Sequence, residues 1–201
     1  SFGPTQYYLL YQSLASSFDH TDVLVCLLPA NDFADDDIAH GRIYYRNRYR
    51  PYFVGDYPYY QLEYFLPALA MVPSTTASDF GVKAFMREFT YSYNALTFVK
   101  DRWIYARQHR RGDRPYAGYY DYTPEQWQRL TYVLDRMCQA SAGRHLTLLV
   151  APVAADLERQ ASVGPAVLSR QLQAYCRSRK ITLIDLLPQM AAGARQRQKY
   201  F

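Results

Sequence analysis

Three short apolar runs, each closing on a proline, most strongly limit what this chain can fold into. They are DVLVCLLP from Asp22, HLTLLVAP from His145 and ITLIDLLP from Ile181. Apolar runs of this length, bounded by breakers, are typical of parallel strands that are buried on both faces. Helical patterns separate the runs. We therefore predict an α/β fold of three layers, α/β/α, with a doubly wound and mostly parallel sheet.

The helical segments follow from apolar spacing and capping residues. Residues 4–18 place five apolar side chains on one face, and residues 82–103 repeat apolar residues at three-and-four spacing. The sequence TPEQ opens a further helix, with Thr123 as cap, Pro124 in the first position and Gln126 completing a capping box. A last helix precedes the third apolar run and turns Leu168 and Leu172 inward. The five apolar residues predicted to face inward in the first helix are Tyr7, Leu10, Tyr11, Leu14 and Phe18.

Residues 41–75 form an aromatic and basic insertion in a chain that holds 21 tyrosines. Alternating aromatic residues around the turn VGDYP predict extended segments. The rings have two open interpretations: they stack on a sugar or a partner, or they fill a twisted hairpin. Arg42, Arg46, Arg48 and Arg50 supply positive charge in the same region.

Composition excludes several classes of protein. Hydrophobic residues make up 49% and charged residues 20% of the chain, as in ordinary globular domains. No apolar run reaches the length of about 18 residues that a membrane span needs. The basic residues that give the net charge of +5 are scattered along the chain, so a nucleic-acid partner is not favoured. Three dispersed cysteines, with Cys26 expected in the core, predict neither a disulfide framework nor a metal site.

Asn31 is the candidate for chemistry, because it follows the first apolar run directly. Ligands of parallel sheets bind beyond the carboxyl ends of the strands. Asn31 is either a turn residue that bonds its own backbone or an amide donor for a developing oxyanion. The three aspartates that follow, Asp35 to Asp37, are interpreted as a solvated acidic loop rather than a cation site.

A family resemblance favours the second interpretation of Asn31. The stretch from GPTQYY to PANDFADDD, with the strands LTLLVAP and ITLIDLLPQM, resembles the middle of an SGNH (GDSL-type) hydrolase, a flavodoxin-like fold. The resemblance implies that Asn31 and the backbone N–H of Gly3 bind the oxyanion. Pro29 stands where the family motif has glycine.

The resemblance implies a serine esterase or an O-acyl (acetyl) hydrolase or transferase that acts on a small-molecule or glycan ester, without metal or cofactor. Its acceptor site would be lined by Tyr49, Arg50, Tyr52 and Tyr57. It also weakly favours a location outside the cytoplasm or in the cell envelope, and it leaves the oligomeric state open.

The 201 residues contain no Gly-Asp-Ser nucleophile block, and no Asp-x-x-His block follows the last strand. We therefore expect residues 1–201 to be a single SGNH-like domain without its first strands and its last catalytic block. Such a sheet would have an open edge. The alternative function is a binding module of the same fold, which holds a glycan or protein partner on its Tyr/Arg surface.

Overall fold

The computed structural model describes residues 2–44, 49–65, 95–96, 98–100 and 116–197. The chain divides into two compact units: Ser1–Pro67 with Tyr116–Phe201, and Ala68–Pro115. In the second unit, residues 95–96 and 98–100 are helical, and the rest of the helix predicted over 82–103 lies outside the described residues. The single domain predicted for residues 1–201 stays a prediction.

The first unit contains the predicted strands and helices in chain order, together with four helices that were not predicted. Its strands are β1 (Asp22–Leu27), β2 (Arg50–Val54), β3 (Gln61–Phe65), β4 (His145–Val150) and β5 (Thr182–Asp185). Its helices are α1 (Pro4–Ser13), α2 (Pro29–Asp35), α3 (Ile38–Tyr44), α4 (Pro124–Ala140), α5 (Ala154–Val163), α6 (Val167–Arg179) and α7 (Leu186–Arg197). The four helices that were not predicted are α2, α3, α5 and α7. A single 3₁₀ turn, Ala15–Ser17, follows α1.

Two sheets confirm the mixed α/β class. Strands β1, β4 and β5 form a parallel sheet in that order, and β2 and β3 form an antiparallel hairpin. Within the described residues β1 pairs only with β4, so the edge expected to be open has no partner strand there. The three-layer arrangement stays a prediction.

The strands are not buried on both faces, as their apolar runs predicted. In β1 the residues Val23, Val25 and Leu27 are buried, whereas Leu24 is 59% exposed and Cys26 is also exposed. Placing Cys26 in the core was therefore wrong. The described helices bury one face of β1, and the apolar composition of a strand does not reveal how many of its faces are covered.

The buried face of the parallel sheet and the helices form one core. Leu148 and Val150 of β4 join apolar residues of α4 and α6. The inward positions predicted for Leu168 and Leu172 are confirmed, and Leu130, Leu134 and Met137 of α4 are also buried, whereas Trp127 and Tyr175 are only partly buried. The Thr123 capping box is also confirmed, since Gln126 N–H donates to Thr123 Oγ1 at 3.3 Å and Thr123 N–H donates to Gln126 Oε1 at 2.8 Å.

The face predicted for α1 is only partly right. Tyr11 is buried, but Leu10, Leu14 and Phe18 are exposed, and Tyr8 is buried instead. The helix ends at Ser13, so Leu14 and Phe18 do not continue its face. Three-and-four spacing over residues 4–18 is compatible with two neighbouring faces, and tertiary packing selected the one with Tyr8.

Candidate functional site

Asn31 lies at the carboxyl end of β1, in the first turn of helix α2. Pro29 occupies the first helical position, where a missing N–H costs nothing. The backbone N–H of Asn31 donates to the Leu28 carbonyl at 2.9 Å, and Asp32 Oδ2 accepts the Leu28 N–H at 2.7 Å. The interpretation of Asn31 as a turn residue that bonds its own backbone is therefore wrong, because Asn31 lies within a helix.

The side chain of Asn31 is held by the next turn of the same helix. Its Nδ2 donates to Asp35 Oδ2 over 3.4 Å, and the residue is partly exposed. An amide nitrogen carries two hydrogens, so this contact leaves one of them for another acceptor. The arrangement can offer a donor at the edge of the sheet.

Asp35 brings together three residues that the sequence predicted separately. A Cβ on Gly3 would lie 3.1 Å from the Asp35 Cβ, so the two residues are in close contact. Arg50 Nη1 lies 3.6 Å from Asp35 Oδ1. Asn31 and Arg50 therefore flank the buried carboxylate of Asp35, whereas Gly3 lies against the Cβ and backbone of Asp35 and faces the carboxylate of Asp36.

The backbone N–H of Gly3, predicted to bind an oxyanion, has a partner within the chain. It donates to Gln6 Oε1 at 3.2 Å, and the Gly3 carbonyl accepts the N–H groups of Gln6 and Tyr7. Gln6 Oε1 also accepts Arg50 Nη2 at 2.8 Å. Gly3 thus begins α1, and a ligand oxygen would have to replace that of Gln6 to bind its N–H.

The acidic run is not a solvated loop, and that interpretation was wrong. Asp35 is 2% exposed and Asp36 is 5% exposed. Both oxygens of Asp36 accept the Thr5 N–H at 3.1 Å, and its backbone carbonyl accepts Arg129 Nη1 at 3.1 Å. Only Asp37 is partly exposed, and its side chain accepts the Ala39 N–H at the start of α3. Asp36 therefore links the end of α2 to α1 through its carboxylate and to α4 through its backbone carbonyl.

Burial gives two of these carboxyl groups unusual proton affinities. Burial raises the pKa of Asp32 from 3.8 to about 7, although the Leu28 N–H and the Tyr7 hydroxyl bond to it. Burial also raises the pKa of Asp36 to about 7, against the lowering effects of Thr5 and Arg129. Burial together with the Asp32 charge raises the pKa of Tyr7.

These shifts predict that stability falls between about pH 4 and pH 7. The folded chain holds the protons of Asp32 and Asp36 more strongly than the unfolded chain does. The stabilisation that results is complete below the unfolded pKa of 3.8, and it is lost as pH rises through the folded pKa of about 7. Urea unfolding at pH 5 and pH 8 measures the fall. Asp36→Asn should reduce it, whereas Asp22→Asn, at an exposed site, should not. An unchanged fall in Asp36→Asn would contradict the assignment.

The four residues predicted to line an acceptor site separate into two groups. Tyr52 is 0% exposed and Arg50 is 3% exposed, so neither belongs to a surface, contrary to the prediction. A Cβ on Gly41 would overlap the Tyr52 hydroxyl, which shows how tightly the ring is enclosed. The alternation along β2 turns Arg50 and Tyr52 towards the interior.

Tyr49 and Tyr57 remain on the surface, as predicted. Tyr49 is 57% exposed and stacks on Tyr64, with ring centroids 5.2 Å apart and planes 14° apart. Tyr57 is also exposed and precedes the most exposed ring of the hairpin, that of Tyr59. The hairpin therefore presents four exposed tyrosines, here called the tyrosine-rich cluster: Tyr49 and Tyr64 stack at its open end, and Tyr57 and Tyr59 lie at its confirmed turn.

The segment Tyr116–Tyr122 lies across the carboxyl ends of the strands of the parallel sheet. A Cβ on Gly118 would overlap the backbone of Pro29 and Ala30. Tyr119 is fully buried, with its N–H 3.0 Å from Asp156 Oδ1 and its hydroxyl 2.9 Å from Asp185 Oδ1.

Residues Tyr116–Tyr122, here called the wall, therefore cover the carboxyl ends of the strands and pack against Pro29 and Ala30, next to Asn31 in the chain. No periodicity marked this segment, since its contacts are separated by 37 and 66 residues in the chain. Burial and the Asp185 carboxylate raise the pKa of Tyr119, so its hydroxyl acts as a donor to that carboxylate.

No family model, curated protein or solved structure matches this chain. None of the helices in the described part is both long and apolar enough to cross a membrane. Among the same described residues, no group of three or more His, Cys, Asp or Glu side chains is placed to hold a metal ion.

Proposed function

We propose that this chain supplies the oxyanion-binding part of an SGNH-type acyl-transfer site, in an esterase or acetyltransferase that acts on a carbohydrate ester. The observation that carries the proposal is Asn31, a partly exposed amide at the carboxyl end of β1 whose Nδ2 is held by Asp35. The family resemblance and the parallel sheet support it, and the proposal includes a three-layer fold.

The proposed reaction is nucleophilic acyl transfer. A serine oxygen attacks the ester carbonyl carbon, a histidine takes the serine proton, and the carbonyl oxygen becomes an anion. Collapse of this intermediate releases the alcohol, which receives the proton from the histidine. Asn31 Nδ2 donates to the anion, which is stabilised more strongly than the neutral carbonyl oxygen. The proposal places the serine and the histidine outside residues 1–201. Residues 1–201 contain no Gly-Asp-Ser block, and no Asp-x-x-His block follows their last strand.

Replacing Asn31 by alanine tests the proposal in the protein as its gene encodes it. Turnover of an aryl acetate should fall by about a hundredfold or more, with little change in KM, because the lost bond forms only in the transition state. Ala39→Gly is the matched control, because Ala39 lies on α3 and its side chain carries no hydrogen-bond donor. Residues 1–201 alone should show no hydrolysis. Unchanged turnover in Asn31→Ala would contradict the oxyanion role.

A second candidate function rests on the tyrosine-rich cluster. Stacked, exposed rings such as Tyr49 and Tyr64 are a common surface for the apolar faces of sugars or for a partner protein. This surface requires no nucleophile, so the same chain could serve as a binding module.

The binding module predicts glycan retention that depends on these rings. Tyr49→Ala combined with Tyr64→Ala should weaken binding of residues 1–201 to a polysaccharide by about tenfold, since aromatic contacts contribute roughly 0.5–1.5 kcal/mol each. Affinity electrophoresis in polysaccharide gels measures the change. Tyr116→Ala removes an exposed ring outside the hairpin and should have no effect. Equal mobility of all variants in every gel would end this candidate.

A further inference from the structure

A continuous path of polar contacts joins Asn31 to Gly3, the two residues to which the family resemblance gives an oxyanion role. Asn31 Nδ2 contacts Asp35 Oδ2 at 3.4 Å, and Asp35 Oδ1 lies 3.6 Å from Arg50 Nη1. Arg50 Nη2 donates to Gln6 Oε1 at 2.8 Å, and the same oxygen accepts the Gly3 N–H at 3.2 Å. The side chains of Asp35 and Arg50 are 0% and 3% exposed, so water does not compete with their contacts.

The chemistry of Asp35 decides how the Asn31 amide is oriented. An asparagine side chain carries a donor and an acceptor of nearly equal size, and a half-turn about its last bond exchanges them. An ionised carboxylate only accepts hydrogen bonds. It therefore binds Nδ2 and repels Oδ1, and the second hydrogen of Nδ2 stays available for another acceptor.

We propose that Asp35 is a positioning residue, which holds Asn31 with Nδ2 as the available donor. The buried Arg50, together with the partly buried Gln6, holds Asp35 in register with Gly3. The inference rests on the proposed function for the identity of the ligand, an oxyanion, but its structural content concerns the amide alone. An inverted amide would turn Oδ1 towards the negative oxygen of the oxyanion, and the hydrogen bond that stabilises this oxyanion would be lost.

Nuclear magnetic resonance of residues 1–201 measures the amide directly. The Asn31 side-chain signals are assigned by their disappearance in Asn31→Ala. One Nδ2 hydrogen should exchange with water at least tenfold more slowly than those of the exposed Gln173 amide. This measurement needs no variant of Asp35, so it decides the proposal even if such variants fail to fold.

Removing the carboxylate should abolish this protection. In Asp35→Leu, or in Asp35→Leu with Arg50→Met, both Nδ2 hydrogens should exchange within about twofold of Gln173, because neither variant offers the acceptor. Asp36→Asn is the matched control, since Asp36 accepts from Thr5 and not from Asn31; it should retain the tenfold protection.

The outcomes separate the inference from the proposed function. Unprotected Asn31 hydrogens in the unmodified chain, or protection that survives loss of Asp35, would overturn the positioning role. Protection that depends on Asp35, together with unchanged aryl acetate turnover in Asn31→Ala, would uphold the positioning role and overturn the oxyanion role. Protection that depends on Asp35, together with the turnover loss, supports both.

Discussion

Replacing Arg50 by methionine is expected to lower the free energy of unfolding by about 3–5 kcal/mol. Arg50 and Asp35 are both buried, and their charged groups lie 3.6 Å apart. Methionine has a similar length but no charge, so the Asp35 carboxylate would lose its guanidinium while it stays out of water. Gln6 Oε1 would lose a donor at the same time. This destabilisation reflects the cost of a buried charge whose partner has been removed.

Urea unfolding at constant pH measures the loss, and an exposed ion pair provides the control. Arg179 and Asp135 are closer, at 2.8 Å, but Arg179 is half exposed. Arg179→Met should therefore cost less than about 1 kcal/mol. Adding Asp35→Leu to Arg50→Met should recover most of the lost stability, because a buried pair replaced by apolar residues of similar size is often nearly neutral. Equal losses in Arg50→Met and Arg179→Met would show that burial does not control this pair.

Gly118→Ala is expected to destabilise the chain by about 3 kcal/mol, towards the upper end of the usual cost of an overfilled site. Its new methyl group would overlap the backbone of Pro29 and Ala30. A backbone cannot rotate away as a side chain can, so either the wall Tyr116–Tyr122 or the start of α2 must move. Gly118 does not have a positive φ angle, so the expected cost comes from the contact and not from backbone strain.

Gly193→Ala is the control for this substitution, because a Cβ at Gly193 would meet no atom within 4 Å. Gly193 lies inside α7, where alanine should stabilise the helix by about 0.5–1 kcal/mol. The two variants should therefore shift the urea midpoint in opposite directions. A urea midpoint for Gly118→Ala equal to that of the unmodified chain would show that the wall Tyr116–Tyr122 is not tightly packed against α2.

Local sequence chemistry predicted the elements that depend only on neighbouring residues. The three strands of the parallel sheet, the capping box at Thr123 and the turn of the β2–β3 hairpin all appear where expected. The candidate Asn31 was also found at a strand end. Each of these features is determined by side chains a few residues apart, through propensity, capping and turn geometry.

Burial could not be predicted in the same way. The sequence indicated a solvated acidic loop at Asp35 and Asp36, a surface role for Tyr52 and a core position for Cys26, and the structure reversed all three. A run of aspartates carries no sign of the arginine that will meet it, because Arg50 is distant in the chain. The cover of a strand likewise depends on helices that its own residues do not specify.

The sequence by itself therefore determined the three parallel strands, the hairpin and the helices α1, α4 and α6, and that an amide follows β1. Tertiary structure alone decided that the carboxylate next to this amide is buried, that Arg50 and Gln6 complete the path to Gly3, and that Gly118 packs against α2. The physical reason is that hydrogen-bonding and turn preferences act between neighbours. The exclusion of water that gives the Asp35–Arg50 pair its strength exists only after distant segments have packed together.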